Sequence, residues 1–313
     1  MGRPARFVGK RRAVTALSPR RLVLKRLLRH SLARVSLVFL ALLLLLSLAA
    51  PLIAQLRGID PSATDLFRRF EPPSAGYWLG TDDLGRDLFQ RLLDGGRVSL
   101  LVGMAGALLS AVLGAVVGVF AGYLGGRLDA ILMRLTDGVI ALPLLPLLIV
   151  LAAIDPRKIG VPAEIAQSET FSLYRIVVIV GLTGWTTVAR LVRAETLSLK
   201  ARDFTRAARA LGARPLRIMF RHILPNTTGS LVVATTMSVG TLVLFESTLS
   251  FLGLGIQPPA ASWGNMLTGA QELLQQAPML AVWPGLLIFL TVIAFNFVGD
   301  GLQDALDPRS ERR

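Results

Sequence analysis

Residues 98–126 read VSLLVGMAGALLSAVLGAVVGVFAGYLGG, a run of 29 positions without Asp, Glu, Lys or Arg. A helix needs about 20 predominantly apolar residues to cross the hydrocarbon core of a bilayer. The run is therefore long enough to span a membrane as a single helix. Outward from it, further charge-free runs of 14 to 27 residues occupy 35–56, 138–154, 176–189, 222–245, 247–271 and 273–299.

Glycine and proline divide one of these runs. Gly253, Gly255, Pro258 and Pro259 lie within 247–271, so its second half is predicted to be a loop and its first residues join the preceding run. The expected fold class is therefore an all-α integral membrane protein with six transmembrane helices. The six spans are predicted near 35–56, 98–122, 135–154, 176–192, 229–252 and 279–299.

The composition agrees with a membrane protein. Hydrophobic residues make up 53% of the 313 positions and charged residues only 17%, with a mean hydropathy of +0.59. Soluble proteins carry about 25% charged residues, so the composition argues against a soluble enzyme. The chain has no Cys and two His. This excludes a disulfide scaffold, a thiol nucleophile and a Cys-ligated metal, and we predict no metal site.

Basic residues predict the orientation, because Lys and Arg collect on the cytoplasmic side of a membrane. With six spans, one side receives 25 of the 34 basic residues and the other receives nine. Both termini are therefore predicted to be cytoplasmic. The predicted divisions are a basic cytoplasmic segment 1–34, a first transmembrane helix 35–56, an extracytoplasmic loop 57–97, a core transmembrane domain 98–303 and a cytoplasmic tail 304–313.

The N-terminal segment contains a candidate interfacial helix. Leu24, Leu27 and Leu28 fall on one helical face, and Lys25 and Arg29 fall on another. Such a helix suits the interface with anionic headgroups of membrane lipid. A solvated positive tail is the alternative.

The second span carries small residues every fourth position. This spacing places them on one helical face, where they allow another helix to approach closely. Packing within the chain is favoured over dimerisation. The helix-packing residues are Gly106, Ser110, Gly114, Gly118 and Gly122.

The chain lacks the motifs of a membrane enzyme or an ATPase. No G-x-x-x-x-G-K-[ST] loop occurs, so no phosphate cradle for ATP is predicted. Coupled secondary transporters place ionisable groups near the midplane. This sequence offers little there. Glu246 lies in the outer part of the fifth span, where a glutamate more often lines a pathway or pairs helices than relays protons. Trp263 and Asn265 are further candidates for an outer gate or pathway, with Trp263 available as an interfacial anchor.

The cytoplasmic segment 193–226 contains two short amphipathic helices. In the first, Asp203 is the candidate N-cap and Gly212 the candidate C′ residue, and the apolar positions at helical spacing are Phe204, Ala207, Ala208 and Leu211. In the second, Pro215 opens the helix and Pro225 is expected to end it, with apolar positions Leu216, Met219, Phe220 and Ile223.

Three interpretations of this segment compete. A helix-turn-helix DNA reader would also be basic, but the unit lies between membrane spans, so no nucleic-acid partner is expected. The segment could fold on the underside of the bundle. It could also dock a soluble cytoplasmic protein, because apolar faces outside a membrane need a partner.

A specific resemblance supports the third interpretation, docking of a soluble cytoplasmic protein. Residues 206–225, R-A-A-(3)-G-(9)-H-I-L-P, resemble the signature loop of bacterial ABC-importer permeases, E-A-A-x3-G-x9-I-x-L-P. Arg206 replaces the family glutamate and His222 the isoleucine. With arginine in place of glutamate at position 206, the acid that a salt bridge would need there is absent, while docking through the helix is still expected. The matching residues are Ala207, Ala208, Gly212, Leu224 and Pro225.

Two outer segments narrow the resemblance. Residues 78–93, WLGTDDLGRDLFQRLL, and 250–267, SFLGLGIQPPAASWGNML, are similar to the second permease subunit of the dipeptide, oligopeptide and nickel class. In the first, the polar turn at 81–87 is also expected to form an ion-pair knot that orders the loop. The resemblance covers roughly residues 35–307.

The resemblance implies a permease fold of the type I importer kind, in which the signature loop, here residues 206–225, forms the coupling helix. It implies a second permease subunit, two ATPase subunits that bind ATP and Mg²⁺, and an extracytoplasmic solute-binding protein in a bacterial inner membrane. The chain itself would hold no cofactor and catalyse nothing, and would carry peptides or similar small solutes. The alternative is a secondary transporter or channel that works without ATP.

Overall fold

The computed structural model describes residues 19–270 and 272–307, and their regular structure is helical. The helices on the N-terminal side are α1 (Pro19–Leu27), α2 (Ser31–Leu48), α3 (Ala50–Arg57), α4 (Leu88–Leu124), α5 (Gly126–Ala141), α6 (Leu144–Ala153) and α7 (Ala163–Ala166). Those on the C-terminal side are α8 (Glu169–Lys200), α9 (Asp203–Ala210), α10 (Pro215–Ile218), α11 (Leu224–Phe251), α12 (Trp263–Leu267) and α13 (Met279–Leu306). The all-α membrane fold is confirmed.

Five helical stretches in the described chain are long and apolar enough to cross a membrane. A sixth crossing results if α5 and α6, which meet at an angle of 89°, form one broken span. The five are Ser31–Leu48, Leu88–Leu124, Glu169–Lys200, Pro215–Phe251 and Met279–Leu306. The third predicted span, 135–154, is thus a bent pair rather than one straight helix.

A proline explains the bend. Leu142, which follows α5, is extended with φ −79° and ψ 136°, because the ring of Pro143 disfavours helical backbone in the residue before it. The first half of the pair is fixed to α8 by two ion pairs. Arg193 contacts Asp129 at 2.6 Å, and Arg190 contacts Asp137 at 2.6 Å.

Several helices extend beyond the predicted spans. The predicted spans stop at charged residues, whereas the helices continue through them. α4 begins at Leu88, so the predicted loop 57–97 is shorter by the first turns of this helix. The side chain of Asp87 caps it by accepting from the backbone N–H of Gln90 at 2.7 Å. α8 likewise runs to Lys200, beyond the predicted end at 192. A 37-residue helix is about 55 Å long, so its ends can carry charges outside a hydrocarbon core of about 30 Å.

The small-residue face of α4 packs against α8. All five of its residues are buried. A Cβ added to Gly114 would lie 2.5 Å from Cβ of Val188, and one added to Gly118 would lie 2.6 Å from the carbonyl oxygen of Ala189. The Ser110 hydroxyl donates to the Gly181 carbonyl at 2.8 Å. The two helices therefore meet nearly backbone to backbone.

The sequence predicted that the second amphipathic helix ends at Pro225. This prediction is wrong, because the helix continues past the proline. α10 continues through a π-helical turn, Met219–Ile223, into α11. The backbone N–H of Leu224 donates to the carbonyl of Met219, five residues earlier. Proline cannot donate to an α-helical ladder, and the wider π turn before Pro225 changes the bonding pattern at this point. The helix therefore passes the proline.

The two ends of the chain flank the bundle. α1 packs on α13, where Leu27 is buried beside Gly301, while Leu24 remains 54% exposed. The tail predicted from 304 begins inside α13, which continues to Leu306 because its apolar and small residues pack on α11 and α2. Residues 1–18 of the predicted N-terminal segment and 308–313 of the predicted tail lie outside the described residues.

Candidate functional site

The signature-like residues 206–212 occupy the second half of α9 and the turn that ends it. Arg202, not Asp203, is its N-cap, and Asp203 is the first helical residue. An acid there still interacts favourably with the helix N-terminus. At the other end Gly212 has φ +79°, and the N–H groups of Gly212 and Ala213 donate to the carbonyls of Arg209 and Ala208. This is a Schellman ending, which favours glycine at the C′ position.

The buried face of α9 differs from the predicted apolar stripe. Thr205 is fully buried, and its hydroxyl donates to the carbonyl of Leu199 at 2.8 Å. Ala208 is the other buried residue of the helix. Leu211 follows the helix as its C-cap and is 88% exposed. Thr205 and Ala208 therefore form the face of α9 that packs on the bundle. The other residues of the predicted apolar stripe, Phe204 and Ala207, face outward.

Tyr123, near the end of α4, connects α9 to the bundle. Its carbonyl accepts from Nζ of Lys200 at 2.6 Å, and that ammonium lies 5.5 Å from the ring centre. The guanidinium carbon of Arg209 lies 5.7 Å from the same ring centre, within the range of a cation–π contact. The aromatic ring therefore links the ends of α4 and α8 with α9. Sequence reasoning missed Tyr123 because it lies 86 positions before Arg209 along the chain.

The turn after α9 is packed more deeply than its pattern predicted. Ile218, Met219 and Ile223 are almost fully buried in a cluster with Val119 and Val192. Leu216 and Phe220, from the predicted stripe, remain about half exposed. Leu224 and Pro225 form the first turn of α11.

Glu246 is the centre of a buried polar cluster near the C-terminal end of α11. The cluster adjoins residues 252–270, which are named the outer loop because they are predicted to lie outside. The carboxylate of Glu246 accepts from the hydroxyl of Ser99 on α4 at 2.9 Å and from that of Ser250 at 2.7 Å. Each hydroxyl also accepts a backbone N–H from the outer loop. Ser99 takes that of Trp263 at 3.2 Å, and Ser250 takes that of Ile256 at 3.0 Å. The cluster therefore attaches the loop to two helices.

Trp263 is fully buried and is not an interfacial anchor. Its ring lies against Gly95 and Gly96 of α4, whose missing side chains leave the space, and its indole N–H donates to the carbonyl of Leu92 at 2.9 Å. Asn265 closes a capping box with Ser262. Glu246 and Trp263 thus touch no open cavity in this conformation, whereas Asn265 lines an outer pocket.

That outer pocket, about 250 Å³, adjoins the polar turn at 81–87. Asp82 pairs with Arg86 at 2.8 Å and with Arg91 at 3.3 Å. Asp87 pairs with Arg57 at the end of α3, also at 2.8 Å. The expected ion-pair knot is present. It also includes Arg57, which the sequence did not predict because this arginine lies 30 positions before Asp87.

The loop between α6 and α8 also contains an ion pair. The guanidinium of Arg157 donates to the carboxylate of Asp155 at 2.8 Å. This hydrogen bond, with that from the backbone N–H of the same arginine, lowers the pKa of Asp155 to about 2. The carboxylate is therefore ionised at all ordinary pH values, and it caps the short 3-10 turn Pro156–Ile159.

A large apolar groove lies between parts of α4 and α11. Its volume is about 720 Å³, and Phe220 of the π turn is among its lining residues. Among its lining residues, Leu108 is 63% exposed and Val112 is 53% exposed. Threonines at 228, 235 and 236 lie along the α11 wall. The sequence pattern did not distinguish these residues from lipid-facing ones.

Two family models match the chain. The model described as binding-protein-dependent transport system inner membrane component matches residues 114–312, and the model described as N-terminal TM domain of oligopeptide transport permease C matches residues 18–73.

Curated relatives match over nearly the whole length. The oligopeptide transport system permease protein OppC of Bacillus subtilis (strain 168) is 38% identical over 280 residues, covering 90% of this chain and 86% of the relative. OppC of Escherichia coli (strain K12) is 40% identical over 287 residues, covering 91% and 89%. The dipeptide transport system permease protein DppC of Bacillus subtilis (strain 168) is 38% identical over 289 residues, covering 92% and 85%. With a model match over more than half its length, this multi-pass chain belongs to the family of binding-protein-dependent transport system inner membrane components.

Proposed function

We propose that the chain is the permease subunit of an ATP-driven importer for peptides or similar small solutes. The observation that carries the proposal is the exposed helix α9, which has the signature spacing and ends at Gly212 with a positive φ. Peptide as the solute is supported by the names of the oligopeptide and dipeptide permeases that the chain resembles. The fold and the outer loop serve a pathway, and the chain itself catalyses no reaction.

The partners follow from the unpartnered surfaces. We assign the groove between α4 and α11 to a second permease subunit, with which the chain would enclose the pathway. The complex would contain two ATPase subunits, one of which would dock at α9 of this chain. They would bind the ATP and Mg²⁺, because this chain has no phosphate-binding loop and needs no cofactor of its own. A solute-binding protein would dock outside, on the loops that contain Asp82 and Asn265. We propose no nucleic-acid partner.

The orientation follows from charge. By the positive-inside rule, α9 and both termini would lie in the cytoplasm. A bacterial inner membrane is proposed because the matching family is described as an inner membrane component and the relatives are bacterial. The exposed basic residues of α1 and its neighbourhood, such as Lys25 and Arg29, would then face anionic lipid headgroups.

The proposed mechanism is alternating access by rigid-body motion. Closure of the ATPase dimer would displace α9. Because Tyr123 and Thr205 tie α9 to the ends of α4 and α8, these two helices would move with it. The near-backbone contact between α4 and α8 would keep them one unit while the groove changes its opening. Glu246 would hold the outer loop on that unit.

The test is uptake of a labelled dipeptide into proteoliposomes that contain the whole complex. We expect uptake that depends on ATP and on the binding protein, and no ATP hydrolysis by the purified single chain. A secondary transporter would instead take up the peptide as the chain alone, driven by a proton or sodium gradient. Uptake of that kind would contradict the proposal.

A further inference from the structure

The outer pocket is bordered by two arginines that share one carboxylate. Nε of Arg86 donates to Oδ2 of Asp82 at 2.8 Å, and Nε of Arg91 lies 3.3 Å from the same oxygen. Oδ1 of this carboxylate accepts the backbone N–H groups of Leu84 and Arg86, each at 2.9 Å. A carboxylate offers about four sites for accepting hydrogen bonds. All of them are therefore in use, and neither guanidinium can bring further N–H groups to it.

Both guanidiniums retain N–H groups without a partner. In the described part of the chain, Arg91 pairs with Asp82 through Nε, and its two Nη atoms form no hydrogen bond. Nη2 of Arg86 lies 3.8 Å from Asp83, which is beyond hydrogen-bond distance. The two arginine side chains are only 10% and 14% exposed, and both line the pocket. Because unpaired polar groups are costly to bury, these donors are suited to a ligand that accepts hydrogen bonds there.

The charge at the pocket favours an anionic ligand. Asp82 compensates one of the two guanidiniums. Asp83 is 48% exposed, so solvent weakens its attraction for them. Asp94 lies three positions after Arg91 on α4, accepts a hydrogen bond from Gln90 at 3.2 Å and, among the described residues, forms no ion pair. A further carboxylate in the pocket would give the second guanidinium a close partner.

The rest of the pocket is small and largely apolar. Its volume of about 250 Å³ is below the range of about 300–1,000 Å³ that is typical of sites for drug-sized ligands. The pocket therefore suits a single residue rather than a whole oligopeptide. An inorganic anion would leave the apolar wall without a contact, whereas a carboxylate joined to an apolar side chain uses both parts. The apolar wall includes Leu88, Met266, Leu273 and Leu280.

We propose that the outer pocket binds the C-terminal residue of a peptide, with the carboxylate on Arg86 and Arg91 and the side chain against the apolar wall. This rests on the proposed function, which supplies peptide as the solute. Arginine pairs with a carboxylate through two parallel hydrogen bonds. The pocket is formed by the turn at 81–87, the start of α4, the outer loop and the start of α13. A bound residue would therefore also hold the outer loop against α4.

The experiment measures peptide binding by the complex of permease and ATPase subunits in nanodiscs, without the binding protein. Equilibrium binding of alanyl-leucine is compared with that of alanyl-leucine amide, which has no carboxylate, and sodium sulfate is tested as a competitor. We expect saturable binding of alanyl-leucine only and weak competition by sulfate, which cannot use the apolar wall. Alanyl-leucine should also slow limited proteolysis of the outer loop, and the amide should not.

Three variants separate the pocket from the ion-pair knot. Arg91→Gln should weaken binding of alanyl-leucine about tenfold, equivalent to about 1.4 kcal/mol, and should abolish the protection of the outer loop. Leu273→Trp fills the pocket while both arginines remain, so it should weaken binding even if Arg91→Gln fails to fold. Arg57→Gln is the matched control. This arginine belongs to the same knot and is 12% exposed, but it does not line the pocket, so its variant should bind the peptide as the wild type does.

Several results would overturn the inference. Equal binding of peptide and amide, or saturable binding of neither, would mean that the pocket recognises no carboxylate. Equal competition by sulfate would make it an inorganic-anion site. Binding that neither Arg91→Gln nor Leu273→Trp changes would place the peptide elsewhere, and equal losses in Arg57→Gln and Arg91→Gln would assign the effect to the knot. A loss confined to the affinity for the binding protein would make Arg91 a protein contact.

None of these results removes the proposed function. That function is tested separately by ATP-dependent uptake in the wild-type complex, which requires no peptide at the outer pocket.

Discussion

The hydroxyl of Ser99 on α4 donates to the carboxylate of Glu246 on α11 across 2.9 Å, although 147 positions separate them in the chain. The hydroxyl oxygen of Ser99 also accepts the backbone N–H of Trp263. A second hydroxyl, that of Ser250, repeats the arrangement with Ile256. The carboxylate orients both hydroxyl hydrogens toward itself and leaves their lone pairs for the loop. One buried acid thereby fixes two attachments of the outer loop.

Glu246→Ala is expected to loosen this loop without unfolding the bundle. The change leaves buried hydroxyls without an acceptor, which costs about 1–3 kcal/mol. Glu246→Gln keeps the shape and one acceptor oxygen, so its effect should be smaller. Limited proteolysis between 252 and 270 and the melting temperature of the purified complex measure the effect.

The control for this prediction is Thr248→Ala, a change on the same helix outside the cluster. Ser99→Ala combined with Glu246→Ala should cost less than the sum of the single changes, because both remove the same bond. Equal proteolysis of Glu246→Ala and wild type would show that the loop is held by packing alone.

This cluster shows what sequence could and could not predict. Glu246 was visible as a lone acid in an apolar run, but the serines that surround it look like any other small residues until the fold brings them together. Trp263 looked like an anchor because tryptophan is enriched at membrane interfaces and this one lies in a predicted loop. Only the space above Gly95 and Gly96 buries it.

Helices were predictable where one physical signal dominates. Long charge-free runs predicted the membrane helices, and the spacing of 203–212 predicted α9 and its glycine ending. The ends of α4 and α8 were wrong, because a helix continues past the membrane with charges on it. The buried face of α9 was wrong as well, because a tertiary hydrogen bond buries Thr205 in preference to Leu211.

Gly114→Leu and Gly118→Leu are expected to disturb assembly. At both positions even a Cβ would approach atoms of α8 closer than 3 Å, so the helices must separate. Overpacking of this kind costs about 1–3 kcal/mol. Gly138→Leu is the control, since nothing lies within 4 Å of a Cβ there. The yield and melting temperature of the complex report the effect, and equal values for all three variants would mean that α4 and α8 are not in close contact.

Gly212→Val is expected to impair coupling while the bundle remains inserted. A Cβ at this position would meet no atom within 4 Å, so the penalty comes from φ +79° alone and is about 1–2 kcal/mol. Gly212→Asn should be tolerated better, because asparagine adopts left-handed backbone more readily. Peptide uptake and ATPase copurification are measured together. If valine and asparagine behave alike, the Schellman ending does not matter for docking.

Cysteine labelling can decide whether the bent pair α5–α6 crosses the membrane. The chain has no cysteine, so each introduced thiol is unique. Ala75, Ile165 and Gln275 are exposed positions predicted to lie outside, and Arg127 and Ala210 are exposed positions predicted to lie inside. An impermeant maleimide applied to intact cells should modify the first three only. Arg127 and Ile165 flank the bent pair, so their opposite labelling requires a crossing despite the 89° angle. Equal labelling of the two positions, both or neither, would make the pair a re-entrant element and leave five spans. Labelling of Ala210 from outside would place α9 beyond the reach of any cytoplasmic ATPase.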